Sequence, residues 1–372
     1  MKISRVLTPI LAVVVLLAMT GAHALFERAQ AIPVAQALQI APPGASSAQS
    51  TLSPSSAPPA GSPAPSAGTP GGNPGSGAYT ADGAAATSDG RTVSSNLAGQ
   101  SGVLVQNGGS LTMTNAGITT TGAKSPAISV GEGGGSIAIR QSTASASGVG
   151  SPVIASSGAV AATGLTGSAM SGPLVTIEGA NSVTLTDSDL SGAGGGVLIR
   201  RAGAGDGGSA ASFSAVRCKL TTTAAGPFFS VTGVRAEATL SGSTLTDSSG
   251  VLALVSDSGQ LALNAVGQVL SGDAVVDKTG VFSLSLADGS IYTGAVDGQN
   301  RGQSVSVALD DNSSWTLTAD SHVEALTDAK ADLANLQSGG FTLYYDASSA
   351  ANAWLNGKTC ALQGGGSLAP EP

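Results

Sequence analysis

Histidine, cysteine, aromatic residues and charge are all scarce in this chain, and each shortage closes off a class of chemistry. Two histidines and two cysteines among 372 residues are few, and the two cysteines and the one histidine beyond the N-terminal segment lie too far apart in sequence for the usual zinc-ligand spacing. His23 falls in the N-terminal apolar segment, so histidine-based acid–base work reduces to one isolated residue, His322 in "TADSHVEAL", read here as a surface residue. Charged residues make up 10% of the chain and aromatics 3%, whereas helical domains are usually richer in Leu, Glu and Lys. With 15 basic against 23 acidic side chains, a basic patch for nucleic acid or an anionic membrane is not expected. There is no Gly-x-Ser-x-Gly elbow with histidine support and no complete phosphate-cradling loop. No cofactor is expected.

The one marked apolar run is at the start. "MKISRVLTPILAVVVLLAMTGAHA" places Lys2 and Arg5 before an apolar stretch from Leu7 to Met19, and Ala22-His23-Ala24 supplies a small-x-small cleavage pattern. It reads as a signal peptide over residues 1–24, with a mature chain starting near Leu25 and residing outside the cytoplasm, on the cell surface or in the periplasm. Removing Lys2 and Arg5 takes the formal charge from −8 to −10. No later segment approaches the length of a transmembrane helix. Residues 25–80 read as a disordered stalk: positions 29–81 carry no charge, and nine of the 17 prolines lie between Pro42 and Pro74.

What is abundant is glycine, 53 residues of it, together with Ser, Thr, Ala and Val. These are the residues of short strands and tight turns. Beyond the stalk they repeat: an alternating strand, a turn, a second short strand. Leu111, Ile137, Val160, Val183, Phe213, Ala238, Leu261, Phe282 and Val305 hold matching positions, with steps of 26, 23, 23, 30, 25, 23, 21 and 23 residues. Alternation sends Val183 and Leu185 inward and Thr184 and Thr186 outward. Such a unit cannot bury its own inner face, but a stack of them makes one continuous core. The spacing predicts an all-β fold, a right-handed parallel β-helix of about 9–10 rungs over residues 81–325. A C-terminal cap and tail over 326–372 follows, in which "LTDAKADLANLQSG" has some helical spacing and the remainder suggests two further strands around a loop.

The runs "NSVTLTDSDLSGAGGGVLIRR", "GPFFSVTGVRAEATLSGSTLTDSSGVLALVS" and "GKTCALQGGGSL" resemble those of adhesin-like β-helix surface proteins, which are similar to the passenger domains of bacterial autotransporters. The resemblance covers roughly residues 95–368. It implies a surface or secreted role, with a glycan or cell-surface ligand and possible self-association as partners. It departs at the C-terminus, because autotransporters carry a membrane barrel after the passenger and this chain is expected to need another means of retention.

Pectin-degrading enzymes share the fold, so the site must decide between scaffold and enzyme. The clustered aspartates, Gly-His-Gly and Arg-Ile-Lys of polygalacturonases are missing. A calcium-dependent polysaccharide lyase would have to be assembled from Asp187, Asp189, Asp206, Arg200 and Arg201. Against it, the next rung offers Arg217 and Lys219 at the positions matching Asp187 and Asp189, which predicts cross-rung ion pairs of small energetic value. "GAGDGGSA" around Asp206 is a single partial copy of a calcium-binding glycine repeat and reads as a loop. Thr112/Thr114, Thr184/Thr186 and Thr316/Thr318 are candidates for an outward threonine ladder, which on an ordered face can organise water and bind ice. Finally, Cys218 and Cys360 fall at least four rungs apart, roughly 19 Å along the axis, too far for a disulfide. The expectation is a non-catalytic adhesin or recognition scaffold, with the lyase or a structural envelope or matrix component as alternatives.

Overall fold

The computed structural model describes residues 75–203, 209–223 and 226–372. The expected signal peptide, nearly all of the expected stalk and Asp206 lie outside these residues. Strands follow one another in short pieces, and each pairs in parallel with the strand one turn later: Ser182–Thr186 lies between Ala159–Thr163 and Ala211–Val216. The result is a parallel β-solenoid of about 12 turns, walled by sheets of nine, eleven and seven strands. The seven-stranded wall ends at Thr244–Asp247, and a four-stranded sheet starting at Val269–Ser271 forms the next.

Register follows the inward columns. Leu111, Ile137, Val160, Val183, Phe213 and Ala238 are successive partners as expected. The next step is corrected by two residues: Ala238 pairs with Leu263, and Leu261 pairs with Ala236. The inward position one place earlier is held by the small residues Ala211 and Ala236 and then by Leu261, so the column of large residues steps sideways there. Because side chains alternate with a period of two, the slip leaves the same face inside. The expected 9–10 rungs are too few for a related reason. A first turn with the small residues Ala86 and Ser88 inward pairs beneath Leu111 and Met113, and Ala325–Asp328 joins the large sheet after a step of only 19 residues from Ser306 to Ala325.

Parallel pairing continues past residue 325. Leu336–Gln337, Thr342–Tyr345 and Ser367–Pro370 each stack in parallel on earlier strands, so "LTDAKADLANLQSG" forms strand and turn instead of helix. A 3-10 helix, Ala350–Leu355, lies against Ala325–Asp328. There the Asn352 side chain accepts from Leu326 N–H at 2.8 Å and donates to the Glu324 carbonyl at 2.8 Å. One amide therefore fills the hydrogen-bonding role that a following strand would otherwise take. Trp354 Nε1 donates to the Leu326 carbonyl beside it at 3.2 Å.

The core is aliphatic in the first turns and aromatic later. Phe228 and Phe213 both meet Phe229 edge-on, at 5.0 and 5.9 Å between ring centres. Tyr292 and Trp315 stack at 6.0 Å, with Trp315 Nε1 donating to the Gly294 carbonyl at 2.9 Å and the Tyr292 hydroxyl to Gly272 at 3.0 Å. Both rings thus bury a large apolar area while their polar tips stay paired.

Two corners use opposite devices. At one, backbone stacks directly on backbone: a Cβ on Gly148 would lie 1.7 Å from the Gly122 carbonyl oxygen. At the other, a left-handed residue turns the chain in each rung, among them Asn115, Gln141, Asp187 and Arg217 with φ between 46° and 52°. The residue after it is buried, and its N–H is taken by the side chain one rung on: Ala116 by Ser142, Leu165 by Ser188, Cys218 by Ser243, Gln268 by Ser290 and Ser290 by Ser313, all at 3.0–3.1 Å. These serines satisfy buried donors that the turn would otherwise strand.

Candidate functional surfaces

The structure divides the lyase residues. Asp187 stands at a left-handed corner (φ 49°), so the strand does not run through it, and Asp189 opens the next strand. Arg217 straddles the Asp187 carboxylate, Nε to Oδ1 at 2.7 Å and Nη2 to Oδ2 at 2.9 Å, while Lys219 Nζ lies 3.6 Å from Asp189 Oδ2. Both cross-rung pairs match the spacing argument. The hydrogen bond from Arg217 holds the Asp187 carboxyl below the ordinary aspartate range. These four residues border an open hollow of about 410 Å³ whose lining includes neither Arg200 nor Arg201. Arg200 lies on the nine-stranded wall and is bound to Glu178, its partner on the preceding turn. Arg201 Nε donates to the Gly233 carbonyl at 2.9 Å.

Cys218 and Cys360 are both free. Cys218 occupies the corner column between Ser188 and Ser243, its thiol donating to the Val216 carbonyl at 3.3 Å. Burial pushes that thiol above its ordinary range, which disfavours the thiolate.

The threonine ladder is mixed in register. Along the outer middle of the eleven-stranded sheet the partners run Thr87, Thr112, Ala138, Ala161, Thr184, Ser214, Thr239, Asn264, Ser285, Ala308 and Thr327. No member of this column is charged. Between Thr112 and Thr184 it forms the floor of a furrow of about 340 Å³, edged by Ser110, Ser136, Ala159 and Ser182. Hydroxyls and methyls alternate irregularly, which is a poor template for ordered water but a smooth surface along the sheet.

His322 corrects its reading as a surface residue. Its side chain is only 16% exposed, and Nδ1 lies 2.8 Å from Glu371 Oε1. The ring stacks on Tyr344, 4.8 Å between centres with planes 13° apart. Asn300 Nδ2 reaches the other Glu371 oxygen at 3.3 Å. His322, Asn300 and Glu371, together with Asp297, Glu324 and Asp346, line a hollow of about 250 Å³. Asp297 is buried; burial raises its carboxyl, opposed by N–H bonds from Arg301 at 3.0 Å and Gly302 at 2.8 Å. Sequence reasoning missed this cluster because Glu371 is 49 residues from His322 and no local motif joins them.

Among the described residues no group of three or more His, Cys, Asp and Glu side chains has the arrangement of a metal site, and no helix is long and apolar enough to cross a membrane. The fold places the chain among parallel β-solenoids. No family model, no curated protein and no solved structure matches it.

Proposed function

We propose that the protein is an exported β-helix that acts as a non-catalytic recognition or adhesion scaffold for a glycan or cell-surface ligand. The observation that carries this reading is the uncharged, hydroxyl- and methyl-lined outer column of the eleven-stranded sheet. Small side chains let an extended polymer approach the sheet closely, and hydroxyls offer both donors and acceptors to sugar hydroxyls. The pairing of Asp187, Asp189 and Arg200 with neighbours across the rungs supports a surface without catalysis at those positions. The adhesin-like resemblance of the repeats supports a surface location.

The test is binding of the full chain to a glycan array, with Thr112→Lys and Thr184→Lys set against Thr246→Lys on the seven-stranded wall. Binding lost only in the first two variants supports the furrow as the recognition surface. Binding equally insensitive to all three substitutions rejects it. Unsaturated sugar products released from an acidic polysaccharide, and lost in Asp187→Ala, would reject the non-catalytic reading.

A further inference from the structure

We propose that Asp328 and Asn335 form a closed carboxylic acid–carboxamide pair, with one proton held between Asp328 Oδ2 and Asn335 Oδ1. Four buried side-chain oxygens lack a hydrogen-bond partner among the described residues, and these are two of them. They belong to side chains that already touch: Asn335 Nδ2 donates to Asp328 Oδ1 at 3.0 Å. Asn335 is 5% exposed, so bulk water does not complete its bonding. Reversing its amide is no remedy, because the nitrogen also faces the Ser313 carbonyl at 3.1 Å and the Asp310 carbonyl at 3.4 Å. An oxygen placed there would meet three acceptors. The orientation is therefore fixed, and what the pair lacks is one hydrogen.

A protonated carboxyl is both donor and acceptor, and so is a carboxamide. Joined edge to edge, the two exchange hydrogen bonds: amide N–H to one carboxyl oxygen, acid O–H to the amide oxygen. One proton thus satisfies both stranded oxygens. It needs neither the room of a buried water nor the several further oxygens of a calcium ion. Charged neighbours act in opposite senses, Asp332 favouring the neutral acid and Lys330 the anion, while burial of Asp328 favours the acid. The Asp310 carboxylate is taken up by the N–H groups of Asp288, Asn312 and Ser313. Ser304–Leu309 and Ala350–Leu355, packed against the Asp328 strand, carry no titratable side chain. The pair sits where the last strand of the eleven-stranded sheet, Ala325–Asp328, gives way to Leu336–Gln337 of the four-stranded sheet. Through Asn335 it also holds the turn at Asp310–Ser313, so ionising Asp328 weakens a join of three segments. Its contribution is fully present below the unfolded aspartate value of about 3.9, and is lost as pH rises through the higher folded value.

None of this depends on what the lateral sheet binds. The experiment compares urea unfolding of the full wild-type chain with Asp328→Asn and Asp328→Leu at about pH 4 and about pH 8. Asparagine keeps both hydrogen bonds without needing a proton, whereas leucine keeps the bulk and removes both. At the acid end the wild type should match Asp328→Asn within about twofold in folding equilibrium. At the other end it should fall at least about fivefold below it, the effect of one stranded buried acceptor. Asp328→Leu should lie at least about fivefold below Asp328→Asn at both. A ratio of wild type to Asp328→Asn that stays constant with pH overturns the proposal. So does a leucine variant as stable as the asparagine one, which would mean burial without pairing. Carbon NMR of the aspartate-labelled wild type, with Asp328→Asn for assignment, tests it even where the leucine variant fails to fold. There the Asp328 carboxyl should titrate above the ordinary aspartate range, and a midpoint inside that range rejects the pair. A wild-type urea midpoint raised by added calcium chloride, with Asp328→Asn unmoved, would put a cation between the oxygens and reject it too.

Discussion

The charges of the middle turns and those of the last turns obey different rules. In the middle turns Glu178 pairs with Arg200, Asp187 with Arg217 and Asp189 with Lys219, each partner one rung away, at the position that parallel register sets opposite it or at the corner beside it. These pairs are exposed and local, and a repeat makes them almost automatically. Between Asp297 and Glu371 the steps shorten, the walls change and the partners lie up to 71 residues apart. Carboxylates there crowd a hollow instead of pairing off. These three couples are neutral, while the turns from Asp297 to Glu371 gather four carboxylates round one hollow.

Core substitutions should separate the two regions most strongly. Trp315→Ala, in the aromatic late core, is expected to cost about 3–5 kcal/mol, read from the urea midpoint, against about 0.5–1.5 kcal/mol for Ile139→Val in the early aliphatic core. Equal losses would remove the distinction. Next in size is Ser290→Ala, which strands the buried Gln268 N–H and should cost about 1–3 kcal/mol. Cys218→Ser, at a position of the same column, should change the midpoint far less, because serine is the residue its neighbours already use.

Asp328 gives the pH test. It continues the inward column after Leu309, and its Oδ2 is buried without a partner. Burial raises its carboxyl above the ordinary aspartate range. The folded chain therefore binds that proton more tightly than the unfolded one, and stability rises as pH falls towards the unfolded aspartate range. Relative to Asp328→Asn, the wild type should gain stability as unfolding is measured from about pH 7 down to about pH 4. The same gain in both chains would assign it to other groups. The smallest effect is expected at the surface: Asp187→Asn should leave the thermal midpoint unmoved, and a clear loss would mean that the cross-rung pairs do more than decorate the wall.

The sequence made the repeat legible because inward residues such as Val160, Val183 and Phe213 are large and evenly spaced. It obscured the first turn, where Ala86 and Ser88 are too small to announce an inward face, and the slip at Ala238, where alternation offers Leu261 and Leu263 equally. The ion pairs of Asp187 and Asp189 could be read because their partners are one period away. The His322 cluster could not, since it depends on how irregular turns bring distant segments together. The corner serines were missed although a signal exists: a left-handed residue followed by Ser or Cys in "QS", "DS", "RC" and "GS" at 141–142, 187–188, 217–218 and 242–243.

That corner also says how such a protein can change length. From Asn115–Ala116 to Gly267–Gln268 the link across it is two residues in every turn, while the insertion that stretches one step to 30 residues falls across a different corner, between Arg200 and Ala211. A duplication or deletion with its breakpoints in that tolerant corner would carry each serine junction intact and add or remove a whole floor. One with breakpoints at the serine corner would have to rebuild two buried hydrogen bonds at once. Growth by copying is therefore expected to leave its scars on one side of the column only.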